Sequence, residues 1–451
     1  MNKRKTVDPA PSGNNSGMVV DSKALNGALQ DRGPMSGELK RLLAAIVLVA
    51  ACAELAYTTV NISAMQPFIR AHKLNPMWIG IAAFSFIFFE GIMKSPFGVL
   101  GDRIGRRKLI LAGPVVSIFT CLITPHVVNP YCLIILRIMD GFGAAALWPA
   151  AFSLIGDHVP EGHRSRAMSF FNLAYLLGLA LGPVLGGGAN DLSYKYLKLS
   201  FVASKSTSFY VAACLFFITS VVALIFVPQS GGTKHTHAEG AEGGLNLQSF
   251  GAMLSRMPTT LLMTFTTFLG IGLIMAYVKD FAVVSFHLQE TEFGALLIGP
   301  ALIIAALSVP LGTLGDRIGK ARAVKIGIGL CALSYWLLII TFSEWSLIVF
   351  GGLLGVGFVI AFPAWMALVS SLCDTSQRGA AIGAVGTAQG LGAITGVGIS
   401  SVIYKYGPFV VAGIKVPKHG LPFLCCAVML AVSFLLAVTT VHDVGSVNSG
   451  V

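Results

Sequence analysis

Long apolar runs alternate with short polar clusters along nearly the whole chain. A helix that crosses a bilayer needs roughly 20 apolar residues. Runs of this kind lie at 41–63, 77–100, 108–127, 131–154, 167–189, 208–227, 258–279, 292–314, 322–342, 346–370, 379–403 and 421–440. The pattern predicts twelve spans, and an even number puts both termini on one side. Three polar stretches frame them. Residues 1–40, rich in Ser, Asn, Gly and Pro, read as a mobile tail, 228–257 as a linker and 441–451 as a second tail. The expected organisation is a six-span bundle over 41–227 and a second over 258–440.

Composition points the same way. Of the 451 residues, 55% are hydrophobic and 11% charged, where soluble domains carry roughly 25% charged residues. Mean hydropathy is +0.78, so the chain reads as an all-α integral membrane protein. A net charge of +11 raises nucleic acid as a partner, but the loops account for it. Of 31 Lys and Arg, 20 fall at or beside the N-terminal tail and the loops on its side. Eight fall in the opposite loops, and Lys94, Arg137 and Lys279 lie within spans. An excess of Lys and Arg marks the cytoplasmic face, so both termini are expected there, in a plasma or inner membrane, with no nucleic acid. Cys52, Cys121, Cys214, Cys331, Cys425 and Cys426 fall inside apolar runs without metal spacing. They read as small buried hydrophobes, and no metal or cofactor is expected.

Two polar clusters are near copies. "GVLGDRIGRRKLI" spans Gly98 to Ile110 and "GTLGDRIGKARAV" spans Gly312 to Val324, an interval of 214 residues. The same shift places Gly141, Gly143 and Pro149 on Gly355, Gly357 and Pro363, and Gly178 and Gly182 on Gly392 and Gly396. Internal identity at one ungapped register defines two homologous six-span halves. Parallel repeats with a site between them at mid-membrane are a transporter architecture.

On these residues the chain resembles a Major Facilitator Superfamily transporter over roughly 40–440, most like the proton-coupled drug antiporter branch. Gly98 to Lys108 is similar to that superfamily's motif A, with a counterpart at Gly312 to Arg322. The resemblance implies a cytoplasmic gate built from Gly98, Gly101, Asp102, Arg103, Gly105 and Arg106 and from Gly312, Asp316 and Arg317. Asp102 would latch onto the start of the eleventh span, and Asp316 toward the fifth, each facing the positive end of a helix. "GLALGPVLGG" resembles the antiporter motif C through Gly178, Gly182, Pro183, Gly186 and Gly187. "LRIMDGFGAAALWPA" resembles motif B, whose Arg, here Arg137, is associated with proton coupling. Asp140 departs from that pattern and leaves room for an internally neutralised pair.

Ionisable residues inside spans are costly and usually functional. Glu54 stands alone in the first span, suited to reversible protonation. Glu90 and Lys94 are four apart and Arg137 and Asp140 three apart, so each pair shares a helix face. Lys279 and Asp280, near a span end, read as interfacial snorkelling. Tyr57, Asn61, Phe84, Phe88, Trp148, Asn172, Tyr175 and Gln389 are further candidates for a central cavity. "GDRIGKA" lacks the spacing of a phosphate-binding loop, and no Ser/His/Asp or metal-protease signature appears. An enzyme or ATP-driven pump is therefore not expected. The expectation is a monomeric carrier in the lipid bilayer, exchanging protons for an amphipathic or lipophilic small molecule. A proton symporter or facilitator for a polar metabolite, or a lipid-handling transporter, is the alternative.

Overall fold

A computed structural model describes residues 36–159, 161–228, 251, 254–255, 257–312, 314–341, 343–371, 378–411, 414–417 and 419–441. Residues 1–35 of the expected N-terminal tail, most of the linker and residues 442–451 lie outside these residues, whereas Gly37–Lys40, expected as tail, begin the first helix. Among the described residues twelve long helices follow in order. The N-terminal half holds α1 (Gly37–Thr58), α2 (Met77–Ile104), α3 (Arg106–Ile123), α4 (Pro130–His158), α5 (Glu161–Lys195) and α6 (Thr207–Phe226). The C-terminal half holds α7 (Pro258–Met275), α8 (Glu290–Gly312), α9 (Lys320–Thr341), α10 (Glu344–Ser371), α11 (Arg378–Ile403) and α12 (Leu421–Thr440). Among the described residues, ten of the helices meet the length and composition of a membrane crossing. α8 and α11, with 23 and 26 residues, occupy the repeat positions of α2 and α5.

Local chemistry sets several boundaries. The Ser36 hydroxyl accepts the backbone N–H of Leu39 and starts α1, and Asn129 caps α4 directly ahead of Pro130. Gly105 and Gly319, 214 residues apart, both adopt φ 96°. That conformation favours glycine and lets one span turn into the next without a loop.

Three features differ from the sequence expectation. The first span does not stop near residue 63 but runs on through a π-helical segment, Thr59–Ala64, and a short helix, Met65–Ala71. The seventh ends at Met275, and a separate helix, Val278–Phe286, carries Lys279 and Asp280. A small antiparallel hairpin, Phe409–Val411 with Ile414–Val416, joins α11 to α12, and among the described residues every other regular element is helical.

The halves pack alike. α1 lies on α5 and α6, α3 on α4 and α6, and α2 on α4. α7 lies correspondingly on α11 and α12, α9 on α10 and α12, and α8 on α10. The correspondence reaches atoms: a methyl on Gly143 would meet the Gly113 carbonyl oxygen at 2.8 Å, and one on Gly357 the Gly327 oxygen at 2.7 Å. Between halves, α5 meets α8 and α2 meets α11. One core cluster runs from the N-terminal half into Tyr277, Phe281, Tyr404 and Phe423 of the other. A second, around Val324, Trp365, Val369 and Val385, belongs to the C-terminal half alone. The core is thus continuous at one end of the molecule. That end lies opposite the two repeated loops, where α1 and α5 finish and α2 and α8 begin.

Candidate functional site

α1 and α5 supply the first layer. The run "TTVNIS" places hydroxyls along one side of α1 and its π segment, a device seen at functional sites. Thr58 Oγ1 donates to the Gly178 carbonyl at 3.0 Å, Thr59 Oγ1 to that of Gly182 at 3.1 Å, and Ser63 Oγ to that of Pro183 at 2.9 Å. The glycines permit this approach: a methyl on Gly178 would sit 2.8 Å from Glu54 Cβ, and one on Gly186 2.5 Å from Ser63 Cβ. Gly187 faces the other way, toward the Glu290 backbone of α8, and Gly294 of α8 abuts Val184. The Gly178–Gly187 segment therefore clasps α1 on one side and the opposite half on the other.

Glu54 lies in this α1–α5 contact with 6% of its surface exposed. Among the described residues it makes no side-chain hydrogen bond and no ion pair. Glu90 and Lys94 are the charges that act on it, and they pair with each other at 3.0 Å. Arg137 and Asp140, 1% and 0% exposed, form an ion pair at 2.7 Å within α4. Arg137 Nη1 also donates to Asn61 Oδ1 of the π segment at 3.3 Å, and its guanidinium lies over the Phe86 ring. Thr120 Oγ1 donates to Asp140 at 3.3 Å. Arg137 Nε is a buried donor with no hydrogen-bond partner. The pair is neutralised internally and tied to α1 and α3.

Other expected cavity residues distribute unevenly. Tyr57 and Trp148 are packed into the core of the N-terminal half, 3% and 7% exposed, and Tyr57 bonds Ser117 at 3.1 Å. Aromatic packing against Phe86, Phe216 and Phe171 holds them there rather than on a cavity wall. Phe84 and Phe88 stack on each other, half-buried, and Phe84 approaches Gly398 of α11 across the junction. Tyr175 stacks edge-on against Trp148. Gln389 is half-buried in α11, and the Asn172 side chain lies outside the described set.

In the repeated loops, the side chains of Asp102 and Asp316, from which a latch is expected, also lie outside the described set. Arg103 and Arg317 are exposed. Arg106 is buried and ion-pairs with Asp157 at the end of α4. At its repeat position, Lys320 donates to the Ala367 carbonyl of α10 at 3.4 Å. Each loop is thereby tied to the fourth span of its own half.

The largest departure from expectation is at the closed end. Lys279 and Asp280 are 1% and 3% exposed, not snorkelling to an interface. Asp280 forms a two-pronged ion pair with Arg70 and accepts the Tyr404 hydroxyl. Lys279 Nζ donates to the Ser63 carbonyl at 2.9 Å and to Glu290 at 3.1 Å. Glu290 also takes Lys205 at 2.7 Å and Asn190 at 3.0 Å, while Asp191 accepts the Thr291 backbone N–H at 3.0 Å. Gln66 Nε2 donates to the Ala276 carbonyl at 2.7 Å, and the Tyr277 hydroxyl accepts from the Gly80 N–H at 3.0 Å. Among the described side chains, every hydrogen bond or ion pair that joins the halves lies at this end. Sequence offered one faint signal: Gln66 and Asp280 are related by the 214-residue shift, and both reach across the junction.

Two pseudo-symmetric six-helix halves, sealed at one end and carrying buried charge between helices, define a membrane carrier for small molecules rather than an enzyme. The Major Facilitator Superfamily model matches residues 46–281 and 260–449, and the chain belongs to that family. It is 28% identical over 331 residues to the multidrug resistance protein MdtG of Dickeya zeae (strain Ech586), covering 69% of this chain and 76% of that one. It is 24% identical over 362 residues to the class B tetracycline resistance protein of Escherichia coli, covering 79% and 86%. Its fold superimposes on the nucleoside transporter NupG (D323A mutant) with a TM-score of 0.70 at 13% identity, covering 88% of this chain and 99% of that one.

Proposed function

We propose that the chain exports an amphipathic or lipophilic small molecule in exchange for protons, by alternating access. The observation that carries this reading is Glu54, an acid buried between α1 and the Gly178–Gly187 segment with no partner among the described residues. A group in that position exchanges a proton whenever water reaches it, and movement of α5 against α1 couples its protonation to the junction of the halves. Glu90, paired with Lys94 beside it, is the second exchange position. Arg137 and Asp140 neutralise each other, and their role is to fix α4 against the π segment. Relatives named for multidrug and tetracycline resistance support outward transport. Under this reading the closed end faces away from the cytoplasm of a plasma or inner membrane. The repeated loops and both termini are cytoplasmic, and the monomer is the working unit.

Proteoliposome flux of a lipophilic cation such as ethidium tests the proposal. An imposed pH gradient should drive uptake, and Glu54→Gln should lose at least tenfold of that driven rate while retaining gradient-free substrate exchange. Equal rates with and without the gradient, or a fully active Glu54→Gln, would sink it.

A further inference from the structure

A pocket of about 450 Å³ opens at the closed end, lined among others by Arg70, Lys73, Asn75, Ser401, Lys405 and His419. Its volume falls in the range of small-ligand sites, roughly 300–1,000 Å³. Among the described residues that line it, four carry cationic or imidazole side chains and none is Asp or Glu. Arg70 and Lys73 come from the segment that ends the first span of the N-terminal half. Lys405 and His419 come from the two sides of the hairpin in the C-terminal half. The pocket exists only while the halves meet at this end.

Its walls are held in place from behind. The Asp280 carboxylate that pairs with Arg70 is 2% exposed at its side chain and also accepts the Tyr404 hydroxyl. His419 Nδ1 bonds the Tyr404 carbonyl at 2.7 Å, and its ring stacks on that tyrosine. Lys73 and His419 both adopt left-handed backbone conformations, φ 56° and 67°. Non-glycine residues hold that conformation when their surroundings impose it, often at ligand clamps. Among the described residues Lys73 and Lys405 pair with no carboxylate, so their charges are uncompensated at the junction.

We propose that this pocket binds a phosphate-type oxyanion, either free or borne by a lipid headgroup, which bridges the two halves across the closed end. Lys73 and Lys405 supply charge-assisted donors to such a group, and the edge of the Arg70 guanidinium that Asp280 does not occupy adds a further one. The bound anion compensates the charges of Lys73 and Lys405 and stabilises the conformation in which they converge. The site is separate from the buried carboxyls of the transport reading and stands without them.

The test uses purified full-length protein, with the unfolding midpoint read from tryptophan fluorescence at constant ionic strength. One arm titrates sodium phosphate against sodium chloride in detergent. The other compares phosphatidylcholine nanodiscs with and without phosphatidylglycerol. A saturable rise of the midpoint in at least one arm is expected; the detergent arm reports a free anion, and a rise in the nanodisc arm alone reports a headgroup. Lys73→Gln with Lys405→Gln, both at exposed positions, should raise the half-saturating concentration at least tenfold. Lys195→Gln, an exposed charge elsewhere at the same end, should leave it unchanged. The double variant's midpoint in chloride checks that it folds. The proposal is overturned by no saturable rise in either arm, or by a double variant that responds like the wild type.

Discussion

Replacing Glu290 by Gln tests whether the buried polar network holds the closed end shut. The carboxylate receives Lys279 at 3.1 Å, Lys205 at 2.7 Å and Asn190 at 3.0 Å. Two of these three, Lys205 and Asn190, belong to the other half, and Lys279, 1% exposed, also donates across to Ser63. Removing one partner of a buried ion pair costs roughly 3–5 kcal/mol, because the remaining charge is left uncompensated. The Gln carbonyl still accepts a hydrogen bond from one ammonium, which recovers part of that cost, on the order of 1–2 kcal/mol. The closed end is therefore destabilised by about 2–3 kcal/mol against an open arrangement in which Lys279 is hydrated. At 1.4 kcal/mol per tenfold, this moves the equilibrium roughly 30- to 140-fold, enough to redistribute two states separated by a few kcal/mol. Spin labels at Tyr196 and Val410, exposed positions on opposite halves at this end, report the separation in a cysteine-free background. A second, longer distance should dominate in Glu290→Gln. Distributions that superimpose on the parent protein would refute the argument, because the network would then carry no conformational energy.

Three further outcomes follow from the packing. Gly182→Ala places a methyl 2.7 Å from Thr58 Cβ, and overpacking at such a contact costs about 1–3 kcal/mol, so the thermal midpoint and transport should fall together. An unchanged midpoint would mean that α1 and α5 separate freely. Arg137→Met and Asp140→Leu singly should each destabilise by about 3–5 kcal/mol by stranding a buried charge, whereas the double replacement should cost much less; additive losses in denaturant unfolding would count against the pair. Gly105→Ala, at φ 96°, should lower stability by roughly 1 kcal/mol or more through backbone strain alone, and a neutral result would show that the α2–α3 turn relaxes without cost.

The twelve spans and the repeat are legible in sequence because each rests on something local. A span is a run of apolar residues, and the repeat is identity at one register. The same shift that aligns Gly143 with Gly357 in sequence reappears as two matching helix contacts against Gly113 and Gly327. The Arg137–Asp140 and Glu90–Lys94 pairs are legible for the same reason, since spacing on a helix fixes which side chains can meet. The closed end is not local. Arg70 meets Asp280 across 210 residues and Asn190 meets Glu290 across 100. Each of these charges sits near a span end, where snorkelling explains a lone ion equally well. Only the docking of the halves separates the two accounts, because it removes the water toward which Lys279 would otherwise reach. A charge at a span end becomes informative when the repeat-related position is also polar, as Gln66 is to Asp280. An interfacial anchor has no need of a polar counterpart facing the partner half, whereas a junction between two related halves uses both copies of the position.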